Sequence, residues 1–256
     1  TKIKAHWDEQ AAKGADNPLA TTNDKLLREL EIKSILSHIP DAPLRIADVG
    51  CGTGYSTMEF ARQRPARFVG IDYSENMIGE ADKLLAGVDD AVRGRVEFHV
   101  GDVLSLQSLN LELFDIVTTD RCLINLTSAE DQKQAIAQIH GIIKPGGAYI
   151  MCEGSRQGFA KVNELCALSG LPLLTNYWHN IYLDEDILLP YVAGLFDVVA
   201  IENFASTYYV ASRIYNAVSA PDQAKPDYFS PINRTAVNLP PIGDYSPLRT
   251  YYLRKR

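Results

Sequence analysis

Long apolar runs are missing from this chain of 256 residues. None reaches the roughly 18 residues that a membrane-spanning helix needs, so no span is expected. Metal-ligand spacing is missing too. The four cysteines (Cys51, Cys122, Cys152, Cys166) form no C-x-x-C pair, and the five histidines (His6, His38, His99, His140, His179) are scattered. No metal site is expected from them, and Cys51, Cys122 and Cys152 read as small buried hydrophobes near strand ends. Positive charge is scarce: 25 Lys and Arg stand against 32 Asp and Glu, a net charge of −7. That balance argues against a broad electrostatic grip on nucleic acid. Arg254-Lys255-Arg256 is too short to alter it and reads as a solvated strand end. The cysteines read as a reduced set, so a cytoplasmic protein is expected, and no secretory pattern is visible. No repeat or low-complexity tract appears.

What is present is concentrated between Arg45 and Asp72. Arg45-Ile46-Ala47-Asp48-Val49 ends in Gly50-Cys51-Gly52-Thr53-Gly54, a helical segment follows, and Phe68-Val69-Gly70-Ile71 ends in Asp72. This is the strand–loop–helix–strand order of a nucleotide site, with a carboxylate at the second strand's tip. A dinucleotide fingerprint requires G-x-G-x-x-G, and Tyr55 occupies the place of its third glycine. An NAD-dependent oxidoreductase is therefore the weaker reading. The three glycines let the backbone turn tightly and approach a ligand with no Cβ between.

The pattern resembles motif I of the class I S-adenosylmethionine (SAM) methyltransferases, D/E-x-G-x-G-x-G, and the resemblance runs over roughly residues 44–153. It implies a Rossmann-like, doubly wound α/β fold: a mostly parallel seven-stranded sheet with an antiparallel last strand, an N-terminal lid helix and C-terminal cap insertions. It also implies SAM as cofactor. Asp48 would lie near the cofactor's ammonium and Asp72 would take both ribose hydroxyls. Gly50, Cys51, Gly52 and Gly54 would line its path, with Tyr73 and Met77 beyond. Asp102, just after the third strand, would face the adenine amino group, with the Val103 N–H on the ring. Trp7-Asp8-Glu9 and Thr21-Thr22-Asn23-Asp24 resemble the lid openings of bacterial methyltransferase-domain proteins linked to polysaccharide or small-molecule pathways, which places Trp7 and Thr22 over the cofactor.

The remaining chain alternates strand and helix. Helices are expected from about Lys25 to Ser37, from the N-cap Ser74 to about Leu85, from about Ser128 to Ile143, and around Tyr208–Ala217. Strands are expected at Arg95–Val100, Phe114–Thr119, Ala148–Cys152, Phe196–Ile201 and Leu248–Leu253, with Lys144-Pro145-Gly146-Gly147 as a turn launching the fifth. One methyltransferase domain spans the chain on this reading. Residues 1–40 form the lid, 44–153 the SAM-binding core, and 170–194 with 204–246 the substrate cap.

Three places could hold the acceptor. Asp120 and Arg121 follow strand four, where methyl and cofactor carboxylate would converge. Arg121 suits either that carboxylate or an anionic acceptor, while a local Asp–Arg pair with Asn125 capping a turn is the alternative. Asn176-Tyr177-Trp178-His179-Asn180 is a dense polar–aromatic cluster. His179 there could take a hydroxyl proton, with Trp178 and Asn180 beside it, or could simply be packed. Tyr208, Tyr209 and Arg213 would suit a sugar or sugar phosphate, unless the tyrosines are core. The expected function is methyl transfer to an oxygen of a small polar acceptor, with His179 and Asp120 as catalytic candidates. Transfer to nitrogen, or SAM binding without catalysis, are the alternatives. Nucleic-acid methylation is disfavoured because strand four does not end in N/D-P-P-Y/F.

Overall fold

A computed structural model describes residues 2–12, 23–219 and 227–256. Helices α1 (Lys2–Ala12) and α2 (Lys25–Ser37) precede β1 (Arg45–Val49), α3 (Tyr55–Gln63), β2 (Arg67–Asp72), α4 (Glu75–Ala86), the short α5 (Asp90–Arg93) and β3 (Val96–Val100). Then come β4 (Phe114–Asp120), α6 (Ala129–Ile142), β5 (Ile143–Gly154), α7 (Arg156–Leu168), α8 (Glu185–Val192) and β6 (Phe196–Glu202). The chain closes with α9 (Ser206–Tyr209), a π-helical stretch, α10 (Asn216–Ser219), α11 (Pro231–Ala236) and β7 (Leu248–Lys255).

The strands form one seven-stranded sheet in the order β3-β2-β1-β4-β5-β7-β6. β7 runs antiparallel to both neighbours, and β1 to β5 are parallel. This is the expected fold class. Alternate strand residues serve opposite faces. Ile46, Phe68, Ile116 and Ile150 pack under α2 and α3. Ala47, Val69, Val117 and Tyr149 pack on the other side with Ile136 and Ile139 of α6. The order reverses between β1 and β4, and in such sheets the crevice beyond the strand C-termini at that point receives the ligand.

Side-chain caps start the helices: Ser74, as expected, accepts from the Met77 N–H (3.2 Å) and Ser128 from Asp131 (3.0 Å), while α2 is capped by Asp24, which accepts from Leu27 (3.1 Å), rather than by Thr22 or Asn23 as the sequence suggests. These bonds satisfy otherwise orphaned first-turn donors. α7 and α8 are additional to the expected elements; Ser155 caps the first by accepting from Gly158 (2.9 Å). α8 lies inside the expected 170–194 insertion.

Two expectations need correction. Lys144–Gly147 is not a turn ahead of β5 but an irregularity within it: Ile143 already pairs with Phe114, and pairing resumes at Ile116 and Ala148. The Lys144 ammonium is held there by Asp115 (2.7 Å), which also accepts from the Arg45 N–H (2.9 Å). Lys255 is no solvated end. Its Nζ donates to the carbonyls of His140 (2.7 Å) and Ile143 (2.8 Å), closing the C-terminus of α6 as a cation does well. Among the described residues no helix is long and apolar enough to cross a membrane.

Candidate active site

A cavity of about 1190 Å³ opens above the C-terminal ends of β1, β2 and β4. That exceeds the roughly 300–1,000 Å³ usual for one small ligand, enough for a cofactor and an acceptor together. Asp48 and Asp72 reach its floor from the tips of β1 and β2, and Asp120 from the tip of β4. Gly50, Cys51 and Gly52 form one wall, with Tyr73 and Met77 next to them. α1 supplies His6 and Trp7 from above, and is held down where the Ser74 hydroxyl donates to Asp8 (2.6 Å). The N-terminal segment thus covers the cavity.

The glycines divide their roles. Gly50, Gly52 and Gly54 all have positive φ (78°, 54° and 75°), where a side chain is strained. A Cβ on Gly50 would also strike the Cys122 side chain at 2.6 Å. Gly54 does not face the cavity: it is buried at the start of α3, against Phe98. Its ligand-approach role is replaced by a packing one.

Burial of the floor carboxylates is costly. Asp72 accepts the Gly52 N–H (3.0 Å) on one oxygen and the Ser74 N–H (2.9 Å) on the other, and each oxygen retains a second lone pair. Desolvation still pushes its pKa up to about 6. Asp48 accepts from the Thr57 and Thr118 hydroxyls, which anchors the loop to α3 and β4. Desolvation likewise raises it to about 6, with Asp120 and Asp72 adding repulsion. A ligand bearing ammonium, sulfonium and ribose hydroxyl groups meets what such a floor lacks. These residues fit SAM.

This linkage has a measurable consequence. A carboxyl with a raised folded pKa contributes stability below its unfolded pKa and loses it as pH rises through the folded value, here between about pH 4 and 6. Cationic ligand favours the ionised forms, so binding releases protons. SAM affinity measured by calorimetry is expected to rise on the order of tenfold between pH 5 and 7, with proton release at the lower pH. A flat affinity over that range would show that these carboxyls do not face the ligand.

The loop after β4 is the most constrained part of the site. Arg121 adopts a left-handed φ of 53°, unusual for a residue with a side chain, and its N–H donates to the Cys152 carbonyl (2.9 Å). Its guanidinium lies 3.2 Å from the fully buried Glu31 of α2 and 3.9 Å from Asp120. Burial opposes that charge, but Glu31 and Asp120 outweigh it and hold Arg121 protonated. The expected Asp–Arg pair exists, with Glu31 as its stronger member. Asn125 donates from Nδ2 to the Arg121 carbonyl (2.7 Å). Glu153, wholly buried at the end of β5, accepts from the N–H groups of Cys122 (3.0 Å), Leu123 (2.9 Å) and Ile124 (3.3 Å). One carboxylate thereby holds the whole turn in place, and desolvation raises it to about 7.

His179 sits in a nest of rings. His6 stacks on it (centroids 4.7 Å) and so does Tyr177 (5.6 Å), while Trp7 (5.4 Å) and Trp178 (5.3 Å) meet it edge-on. Its Nδ1 is buried without a hydrogen-bond partner among the described residues. Desolvation, then the neighbouring His6, lowers its pKa below 6.5. Asn180 also lines the cavity.

Several expected contacts lie elsewhere. Asp102 is exposed and accepts from the Leu104 N–H (2.9 Å), and neither it nor Val103 lines the cavity. Tyr208 is core: its hydroxyl donates to Asp24 (2.6 Å). Tyr209 and Arg213 do line the cavity, yet Arg213 is paired with Asp24 (3.1 Å) and lies against the rings of Tyr209 (5.2 Å) and Tyr228 (4.8 Å). Thr22 lies outside the described residues. His6, Arg28 and Tyr182, which line the cavity, and Glu31 and Glu153, which brace the loop after β4, are not among the residues expected from the sequence. Asp24, Arg28 and Glu31 recur at helical spacing beside Leu27, so charge on the buried face of α2 was their signal.

A family model described as a methyltransferase domain matches residues 40–193. A demethylmenaquinone methyltransferase of Clavibacter sepedonicus is 31% identical over 60% of this chain and 58% of its own length. The mitochondrial ubiquinone biosynthesis O-methyltransferase of Homo sapiens is 31% identical over 56% of this chain and 38% of its own. The chain thus spans about half the length of the curated relatives it matches. Among solved structures, the N-methyltransferase NodS of Bradyrhizobium japonicum WM9, bound to S-adenosyl-L-homocysteine, shares the fold with a TM-score of 0.59 at 13% identity, covering 98% of each chain. Magnesium protoporphyrin IX methyltransferase (ChlM) of Synechocystis PCC 6803, also with S-adenosylhomocysteine, gives 0.58 at 14% over 98% of this chain and 94% of that one. With more than half its length matched by the family model, and with a glycine loop and strand-tip acids suited to SAM, this chain belongs to the class I SAM-dependent methyltransferase family.

Proposed function

We propose that this chain transfers a methyl group from SAM to an oxygen of a small acceptor held beneath the ring cluster. The observation that carries this reading is His179: a histidine biased to the neutral form by burial and by His6, lining the cavity among four aromatic rings. The cofactor supplies a methyl on a positively charged sulfur that needs no protonation to leave. The protein must then align the acceptor, exclude water and take one proton. On this reading the His179 imidazole accepts the hydroxyl proton as the oxygen attacks. Trp7, Trp178 and Tyr177 surround that ring, and Asp120, which also lines the cavity, orients the acceptor on this reading. Arg28, buried at 9% exposure on α2, lines the cavity beside Arg121, and on this reading the two guanidiniums face the cofactor carboxylate. The human relative's name, an O-methyltransferase, supports the same acceptor atom. Three-dimensional fit to a sugar phosphate is weakened by the Arg213–Asp24 pair.

The test is transfer of an isotopically labelled methyl from SAM into a panel of small hydroxylated, amine and activated-carbon acceptors, with the methylated atom located by NMR. Label on oxygen is the expected result. Label on nitrogen or carbon alone, or none despite tight SAM binding, overturns the reading.

A further inference from the structure

A second cavity, an open groove of about 500 Å³, runs along α7. Phe159 and Leu173 line both this groove and the main cavity, so the two are continuous. Helical spacing explains the groove. Val162 and Cys166 face the core, whereas Arg156, Phe159, Ala160, Asn163, Glu164 and Ala167 recur three and four residues apart on another face. The polar members of that face are already engaged. Asn163 donates from Nδ2 to the Leu174 carbonyl (3.3 Å) and accepts the Leu174 N–H (2.8 Å). Arg156 pairs with Asp184 (2.6 Å), and Glu164 lies 3.9 Å from the Lys161 ammonium. What the groove offers a ligand is carbon, including Leu173, which is 59% exposed. Apolar surface left in water beside a ligand cavity gains free energy when an apolar group covers it.

The walls are fixed and the shape is long. The two Asn163 bonds fasten the chain at Leu174 to α7, which sets Leu173 opposite the helix. The Phe159 ring meets Tyr182 edge-on (5.2 Å), and Tyr182 lines the main cavity, so these rings stand where the two spaces join. From Phe159 to Ala167 the helix rises about 12 Å at 1.5 Å per residue. A strip of roughly 12 Å by 10 Å falls far short of the roughly 800 Å² per partner that a stable protein interface covers. A single hydrocarbon chain needs no more than such a strip.

We propose that the α7 groove receives an apolar tail of the methyl acceptor, so that the substrate is amphipathic: a polar head in the main cavity and a hydrocarbon chain leaving it between Phe159 and Leu173. Resting on the proposed methyl transfer, this places the reacting group on the head and makes Ala160 and Ala167 specificity positions for the tail.

Protein saturated with S-adenosylhomocysteine is titrated by calorimetry with 4-ethylphenol and 4-hexylphenol, which share a head and differ by four methylenes. A fully buried methylene is worth about fourfold in affinity, and one covered on a single side about twofold, so the hexyl compound should bind on the order of tenfold tighter. Ala160→Glu puts a carboxylate into the groove at an exposed helix position and should bring the ratio close to one. Ala167→Glu should lower it likewise. Val199→Glu, at an exposed apolar position on the edge strand β6, should leave it unchanged. Equal affinities in the wild type, a ratio that survives both α7 variants, or one abolished equally by Val199→Glu overturns the proposal. A ligand-free dimer that Ala160→Glu dissociates would give the groove to a second copy of the chain, and also overturns it. No turnover occurs in this titration, so its failure is separate from failure of the methyl-transfer assay.

Discussion

Replacing His179 by glutamine is expected to lower kcat by about 10²–10⁴-fold while SAM affinity barely changes. Glutamine retains hydrogen-bonding capacity and occupies much of the ring's space but cannot take the proton. Because burial and His6 depress the histidine's pKa, the wild-type kcat profile should rise along a limb centred below pH 6.5 and stay flat above it. The variant should lose that limb. The ring packing supplies the rival account: His179 is stacked on two sides, so a purely structural role would show as a fall in Tm with turnover preserved. Near-normal kcat in His179→Gln would leave alignment alone to carry the reaction, with Asp120 as the orienting group.

Asp72→Ala is expected to weaken SAM binding by about 2–4 kcal/mol, roughly 30- to 1,000-fold, through loss of two charge-assisted hydrogen bonds to the ribose. Its effect on the free protein should be smaller. The carboxylate is already disfavoured by burial there, and of its two backbone partners the Gly52 N–H lines the cavity while the Ser74 N–H is buried. The increase in Tm on adding SAM should therefore shrink far more than the Tm of the free protein. An unchanged SAM affinity would move the ribose site elsewhere.

Much of this arrangement was legible in the sequence because it is local. A glycine loop between a strand and a helix announces itself within a dozen residues, and Ser74 and Ser128 mark helix starts that the structure retains. The acids at strand tips could be read from an apolar run ending in a carboxylate. What escaped is non-local. Gly54 looks like its two partners in the motif, and only the fold shows that its neighbour is Phe98. Asp102 follows a strand as Asp72 does, but its carboxylate turns back to cap the next turn at Leu104. Arg213 seemed available to an anion until Asp24, 189 residues away, was brought against it. Glu153 carries no motif, and its importance lies in three backbone donors from a turn some 30 residues earlier. Buried charge compensated across elements leaves no periodic trace in a sequence.

The most direct test of the central claim is a crystal structure of the protein with S-adenosylhomocysteine. The account predicts the ribose hydroxyls on the Asp72 carboxylate, the Gly50–Gly52 backbone against the ligand, and the sulfur facing the side of the cavity that holds Asn125 and His179. A ligand bound away from the β1 and β2 tips, or one whose sulfur faces away from those two residues, would contradict it.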